Sequence, residues 1–564
     1  MVLGDAFYDS RLFVELAQNL SQGRWLGPYH ERTLIKGPFY PLWIAATHSI
    51  HVPLLTAQHC LYLAACAAAA WALFRFFDPW CALFFWTLLW FNPMSYALYT
   101  SMVMREYVSA SLAMLVVAFS FLLFRDVGPS WRRTLYAGIL GIVFSAFWLT
   151  REESLWILPF YGVTVLHVFL RLRFGSKNSW RNLVINGALA LFPLGILAGS
   201  IVVVMELNRA HYGIAETVEI KSRFFRDAYG ALTRVHSDIF KPAVPVPREV
   251  REKVYGVSPS FAELRPFLER EDTGWACTLR HLKRLYETGG LDDTARKGID
   301  FILRHDASGV WRGIWEKVDE EPCDLHGPWF VWAFREAAAA AGYHRSAPEA
   351  RAYYERLARE IHGACDRKEI PCGPARSSLA PRWRWEFLPP WVKMFGQVLH
   401  LAVSHQGFHY ETSVSKGDAK AQALFRHMTH EDPMPLEKAA PSSKEIFRTT
   451  VLDHIAVFYR VVFPWLFYAA LGVHLLLSFS KKTILGPLWG FATAVLASCA
   501  TLAAILAYVH VTSFPGIEPR YLAPLPPLAI LYVALVFPAM KDFLRSPEPP
   551  PDILRHKKRK PAEG

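Results

Sequence analysis

Two carboxylates, Asp5 and Asp9, stand at the head of the stretch DSRLFVELAQNLSQGRWLGPYHERTLIKGPFYPLWIA (9–45), which also carries Lys36. Three further charged groups sit at the edges of apolar runs: Arg105-Glu106, Thr150-Arg151-Glu152-Glu153, and Glu518-Pro519-Arg520-Tyr521-Leu522-Ala523-Pro524. Carboxylates so placed can take a proton from a hydroxyl, and arginines or lysines beside them can hold an anion and offset charge that develops on it. Ionisable groups at the ends of membrane helices are expensive, and they are usually functional or paired. Taken singly, each has a plain alternative as an interfacial salt bridge or a snorkelling side chain. Together they point to one constellation, provided the chain brings them to one face.

The elements that must do so are mostly helical. Leu12, Phe13, Leu16, Ala17 and Leu20 recur at helical spacing, so Asp9 to Leu20 is predicted to be an amphipathic helix on the membrane surface with Asp9 at its N-cap. After a Gly- and Pro-punctuated loop, residues 37–51 form an apolar segment too short to cross a bilayer, which is expected to dip and return. Crossing segments are expected near 54–76, 80–99, 103–124, 134–149, 154–171, 184–205, 456–479, 486–510 and 521–538. Arg75, the Arg125–Arg133 and Arg171–Arg181 loops, Lys481-Lys482 and the tail from Lys541 are the basic connections, and nine crossings put all of them on one side, read as cytoplasmic. The four charged groups then share the opposite face.

The domain plan that follows is a catalytic loop (1–53), membrane helices (54–205), a large extracytoplasmic domain (206–455), membrane helices (456–540) and a basic, disordered tail (541–564). The fold class is mainly α: a polytopic helical membrane bundle with an α-rich or mixed soluble domain. In that domain Gly327–Gly342 and Ser346–Cys365 read as helices, with Ser346 an N-cap, Glu349 three residues on, and Gly342 a stop. Trp383, Trp385 and Trp391 lie among prolines, which suits either a membrane interface or a sugar-binding surface.

Composition agrees with this plan. Of 564 residues, 52% are hydrophobic and 14% aromatic, with mean hydropathy +0.17, too apolar for a soluble enzyme. The net charge of +12 does not indicate a nucleic-acid partner, because the positive residues cluster at helix ends and in His556–Lys560, where they suit contact with anionic membrane lipids. Of eight cysteines, Cys60, Cys66, Cys81 and Cys499 fall in apolar segments and read as packing residues. Cys277, Cys323, Cys365 and Cys372 fall in the polar region, where Cys365 is expected to pair with Cys372 and Cys277 with Cys323. No metal-ligand spacing is present.

The order of these residues resembles a family. An Asp four residues before an aromatic, the LA.NL..G pattern and the PxYPL segment look like the first outer loop of the glycosyltransferase-C superfamily, the polyprenyl-phosphate-dependent membrane enzymes whose relatives include protein O-mannosyltransferases and lipid A aminoarabinose transferase. Arg520-Tyr521-Leu522 resembles the signature that opens the last helix in many of them. The resemblance covers residues 5–205 and 456–538 and leaves out the large domain. Phe13 departs from it, standing where the family usually has Tyr.

The resemblance implies a sugar transferred from a polyprenyl-phosphate donor to a hydroxyl of a glycan, lipid or protein. Asp9 would be the catalytic carboxylate, with Asp5 second and Glu106 a further acid. Arg520, Tyr521, Arg105, Arg151, Glu152 and Lys36 would bind the phosphate and substrate. Some relatives use a divalent metal ion and others do not. Family members also carry a transmembrane helix ahead of the loop, so an upstream helix is expected before Met1; the alternative is a short N-terminus carried across by later helices. Two other functional classes compete. A flippase of lipid-linked saccharides would show inverted repeats and mid-membrane charges. A saccharide-binding anchor would need only one or two spans. An inactive relative serving cell-envelope polysaccharide assembly shares all the sequence features of the enzyme.

Overall fold

The computed structural model describes residues 9–544 apart from 75, 78, 127–129, 175–179, 239–240, 271–274, 276, 320–322, 412–413, 416, 435–441 and 481–483. Helices α1 (Asp9–Ser21) and α2 (Phe39–Ser49) precede a run of α3 (Leu54–Leu73), α4 (Pro79–Trp90), α5 (Glu106–Phe124), α6 (Trp131–Thr150), α7 (Leu158–Phe174) and α8 (Trp180–Tyr212). The polar region contributes, among others, α9 (Arg223–Arg234), α10 (Gly327–Ala340), α11 (Ala347–Asp366), α12 (Leu388–Ser404) and α13 (Ala419–Thr429). The chain then returns through α14 (Ser443–Leu477), α15 (Pro487–Thr512) and α16 (Leu525–Leu544). Among the described residues, eight helices are long and apolar enough to cross a membrane. Among the described residues no strand forms, only an isolated bridge between Val235 and Cys372, so the protein is a polytopic helical membrane bundle and its large domain is α-rich rather than mixed.

One expected crossing is built differently. The apolar run 80–99 is not a single helix: α4 stops at Trp90, and Asn92 caps a 3-10 turn over Pro93–Tyr96 by accepting a hydrogen bond from the Met94 amide. Proline disfavours helical backbone in the residue before it, which ends the helix there. Its 12 residues span only about 18 Å, and two 3-10 turns carry the chain on to α5.

A helix that is apolar all round must be covered all round. The α5 span is 94% buried and the final span, Pro519–Met540, 89%, against 22% for α8 and for α14. The two inner helices are thus those that begin with Glu106 and with Arg520-Tyr521. The bundle has two distinct ends. At one, Arg125 donates to the Ala72 carbonyl, Arg133 to Leu123 and Arg171 to Phe124. At the other, Arg105 donates to the Thr150 carbonyl, Trp25 to Asn208 and Trp311 to the His510 carbonyl. This is the alternation expected from charge; Arg75, Lys481, Lys482 and the tail beyond Leu544 lie outside the described residues.

α1 is amphipathic, as expected, yet it does not lie on a surface. Phe13, Val14 and Ala17 pack into the core of the membrane bundle, while Leu12 and Leu16 pack into the core of the large domain. The large domain covers the side that the sequence alone leaves open. α2 begins beside Glu152 and ends beside His430, so it starts and finishes at one end of the bundle without crossing it. In the domain, Ser346 caps α11 by accepting from the Glu349 amide, and Gly342 follows α10 with φ +89°. Both expected disulfides are present, Cys277–Cys323 and Cys365–Cys372, and Cys60, Cys66, Cys81 and Cys499 form no disulfide. Trp383 stacks on Tyr508 and Trp391 donates to the Ala504 carbonyl, so these tryptophans pack on the last turns of a spanning helix.

Candidate active site

The loop that carries Asp9 and Lys36 is fixed from two directions. From the large domain, the fully buried pair Arg335–Glu219 (2.6 Å) reaches it: Arg335 also donates to the Glu31 carbonyl, Tyr29 donates to Glu219, and the Glu219 amide donates to the Leu34 carbonyl. Arg32 pairs with Glu336 at 2.6 Å, and Tyr212, at the end of the long α8, donates to the Gly27 carbonyl. From the bundle, the Gly37 amide donates to Glu152 at 3.0 Å. Only glycine fits there, since a Cβ on Gly37 would lie 2.1 Å from the Leu149 carbonyl oxygen.

On this frame the four charged groups meet. Asp9, in the first turn of α1, pairs with Lys36 at 3.2 Å. Arg105 grips Glu152 through two parallel bonds of 2.8 and 2.7 Å, the bidentate geometry that favours arginine over lysine. Arg151 pairs with Glu106 at 3.1 Å and with Glu153, and it lies over the Tyr521 ring. Arg520 pairs with Glu518 at 2.5 Å and lies over the same ring. Phe13, without a hydroxyl, offers its ring face to Arg105 at 5.6 Å.

The groups differ in what can reach them. The side chains of Arg105 and Glu106 are each 5% exposed, whereas Asp9 is 25% and Arg520 34% exposed. Asp9 and Arg520 therefore face the open space, and the Arg105–Glu152 and Arg151–Glu106 pairs form its floor. One oxygen of Glu106 is buried without a hydrogen-bond partner. Burial pushes the Asp9 carboxyl up, but Lys36, Arg105 and Arg520 outweigh it and hold the group below its ordinary value. Burial likewise opposes ionisation of Glu152, and Arg105 and Lys36 override it, so its pKa is lowered. Both are carboxylates at neutral pH.

Lys221 was not foreseen. It follows Glu219 on a short 3-10 turn and is solvent-accessible, and among the described residues its side chain makes no hydrogen bond or ion pair. Desolvation by the surrounding walls lowers its pKa, with Glu152 and Glu153 opposing, which puts its ammonium at the same charged floor. No pattern near Lys221 marks it, because the Arg335–Glu219 contact that brings it here is long-range. Asp5 lies outside the described residues. Among the described residues no three His, Cys, Asp or Glu side chains gather to hold a metal ion.

No protein-family model and no curated protein matches the chain. Among solved structures, a crystal structure of ArnT from Cupriavidus metallidurans in the apo state is similar, at 13% identity and a TM-score of 0.30 over 95% of this chain and 73% of that one. That likeness assigns no role to any residue.

Proposed function

We propose that the protein is an integral-membrane glycosyltransferase that moves a sugar from a polyprenyl-phosphate donor to a hydroxyl acceptor at the end of the bundle that bears the large domain. The observation that carries this reading is an accessible carboxylate, Asp9, and an accessible guanidinium, Arg520, over a floor of paired charges at the ends of the two innermost helices. Asp9 accepts the proton of the acceptor hydroxyl as its oxygen bonds to the anomeric carbon, and the polyprenyl phosphate departs with the electrons of the broken bond. Arg520 and Lys221 offset the negative charge that grows on the phosphate, and Tyr521 seats Arg520 and Arg151. Direct displacement inverts the anomeric centre. Arg105, Glu106, Arg151 and Glu152 act as positioning residues, and Lys36 orients Asp9 and keeps it ionised.

In this reading the basic end faces the cytoplasm, the protein sits in the plasma membrane, and the disulfide-bearing domain lies outside. A cysteine placed at Asp126 should be shielded from an impermeant thiol reagent and one at Gly342 labelled; the reverse pattern removes the assignment. The chemistry is tested with membranes containing wild-type or Asp9→Asn protein and a panel of radiolabelled polyprenyl-phosphate sugars. Transfer should fall by about 10²- to 10⁴-fold in the variant. Equal transfer by both proteins, or none by the wild type with every donor, defeats the proposal.

A further inference from the structure

Away from the charged floor, the large domain holds a half-open cavity of about 240 Å³ whose charged lining residues are all cationic. Arg234, Lys241, Arg376, Arg382, Arg384 and His236 contribute to its wall, and no aspartate or glutamate does. The contrast with the floor is chemical. There each arginine is matched to a carboxylate. Of the lining cations here, Arg234 has Asp366 at 3.6 Å and Lys241 has Asp324 at 3.5 Å behind it, whereas Arg376 donates to the Ser378 and Ala380 carbonyls and Arg382 to that of Pro374. The Nε of Arg376 is buried and has no partner. A half-buried guanidinium whose Nε is buried without a partner, next to others of the same sign, is an unfavourable arrangement until an anion enters.

Size and place narrow the ligand. The volume falls below the roughly 300–1,000 Å³ of drug-sized sites, so it suits a compact anionic group and not an extended chain. Thr512, the last residue of the spanning helix α15, forms part of the wall, as does Phe387. Trp383, between two of the lining arginines in sequence, stacks on Tyr508 of that helix, and Trp385 beside it is 79% exposed. Tryptophans with a wet edge at the end of a spanning helix mark headgroup level. Planar, forked guanidinium groups are the side chains that match phosphate oxygens.

We propose that this cavity is a binding site for the phosphate ester of a headgroup-sized anion at the membrane surface. None of its lining residues belongs to the charged floor, so the proposal stands apart from the glycosyltransferase reading.

The test uses the full-length protein in neutral detergent, with equilibrium binding of two probes: short-chain phosphatidylglycerol in mixed micelles, and soluble glycerol 3-phosphate. Wild type should bind at least one of them, more weakly at high salt, and R376Q/R382Q should bind at least tenfold more weakly. Binding of the lipid alone assigns the site to a lipid headgroup, and binding of the soluble ester assigns it to phosphate irrespective of a lipid tail. Failure of both probes, or equal binding by wild type and variant, overturns the proposal. Should the double variant unfold, the single variant K241Q serves in its place, with an expected loss of about threefold; unchanged binding there overturns it as well.

Discussion

The two ends of the bundle use the same residue type in opposite ways. At the basic end Arg125, Arg133 and Arg171 donate to carbonyls in the last turns of neighbouring helices, where the helix dipole favours a cation. At the other end Arg105, Arg151 and Arg520 each face a carboxylate. An arginine on a carbonyl ties helices together, and with the half-exposed Asp126 at 3.5 Å from Arg125 the cluster still carries a net positive charge, which suits a fixed orientation in the membrane. Charges matched in pairs hold a shape with little net field, against which one added anion or proton registers strongly. Anchoring and chemistry are thus divided between the ends.

The largest expected effect separates them directly. Arg105→Ala leaves Glu152 buried without its partner and should cost about 3–5 kcal/mol of stability in thermal unfolding, whereas Arg125→Ala loses a carbonyl contact and a half-exposed ion pair with Asp126 and should cost about 1 kcal/mol. Comparable losses at both ends would remove the distinction. Replacing the pair together, Arg105→Met with Glu152→Leu, should recover most of the stability and none of the transfer activity.

Next in size is the disulfide at Cys365–Cys372, which closes a short loop beside the cationic cavity. Its removal by Cys365→Ala with Cys372→Ala should lower the stability of the domain by about 2–3 kcal/mol and leave the hydrogen-exchange protection of α5 unchanged.

Acid provides a finer comparison. The folded-state pKa values of Asp9 and Glu152 lie below their ordinary 3.8 and 4.5, so their stabilisation is complete above that range and is lost as pH falls through the folded values. Arginine–carbonyl contacts at the basic end do not titrate there. Hydrogen exchange between pH 5 and pH 3 should therefore rise at 150–153 and stay level at 124–125.

The smallest effect comes earlier in the titration. His48 stacks on His430 at 4.9 Å and meets His427 edge-on, and burial followed by these neighbours holds its pKa below 6.5. A histidine depressed in this way stabilises the fold above 6.5 and loses that contribution as pH falls below it. Exchange at the α2–α13 contact should increase between pH 7 and pH 5.5, before the carboxylates respond.

Much of this was legible in the sequence because membrane helices are written as uninterrupted apolar runs. α5 needed no partner to be recognised, and charges at run edges gave the four groups in order. Cys365 and Cys372 were readable from the turn between them. What escaped depended on distant contacts or on a signal hidden by hydrophobicity. Lys221 is placed by the buried Arg335–Glu219 pair, across more than a hundred residues of chain. Asn92-Pro93 was a stop signal in plain view, but the apolar residues around it read as one crossing. α12 was absorbed into the polar region, although its Trp391 packs on a spanning helix.

The short α4 carries a consequence for the surrounding lipid. It turns Trp80, Leu83, Phe84 and Trp90 outward, and the two tryptophans lie about 15 Å apart along the helix. Indole rings settle at headgroup level, while an unperturbed hydrocarbon layer is about 30 Å thick. Acyl chains along this flank must compress to meet the rings, at a fraction of a kcal/mol for each ångström of mismatch. With both rings at headgroup level the protein would pinch the bilayer on one side, and reconstitution into lipids of increasing chain length should then progressively lower its stability.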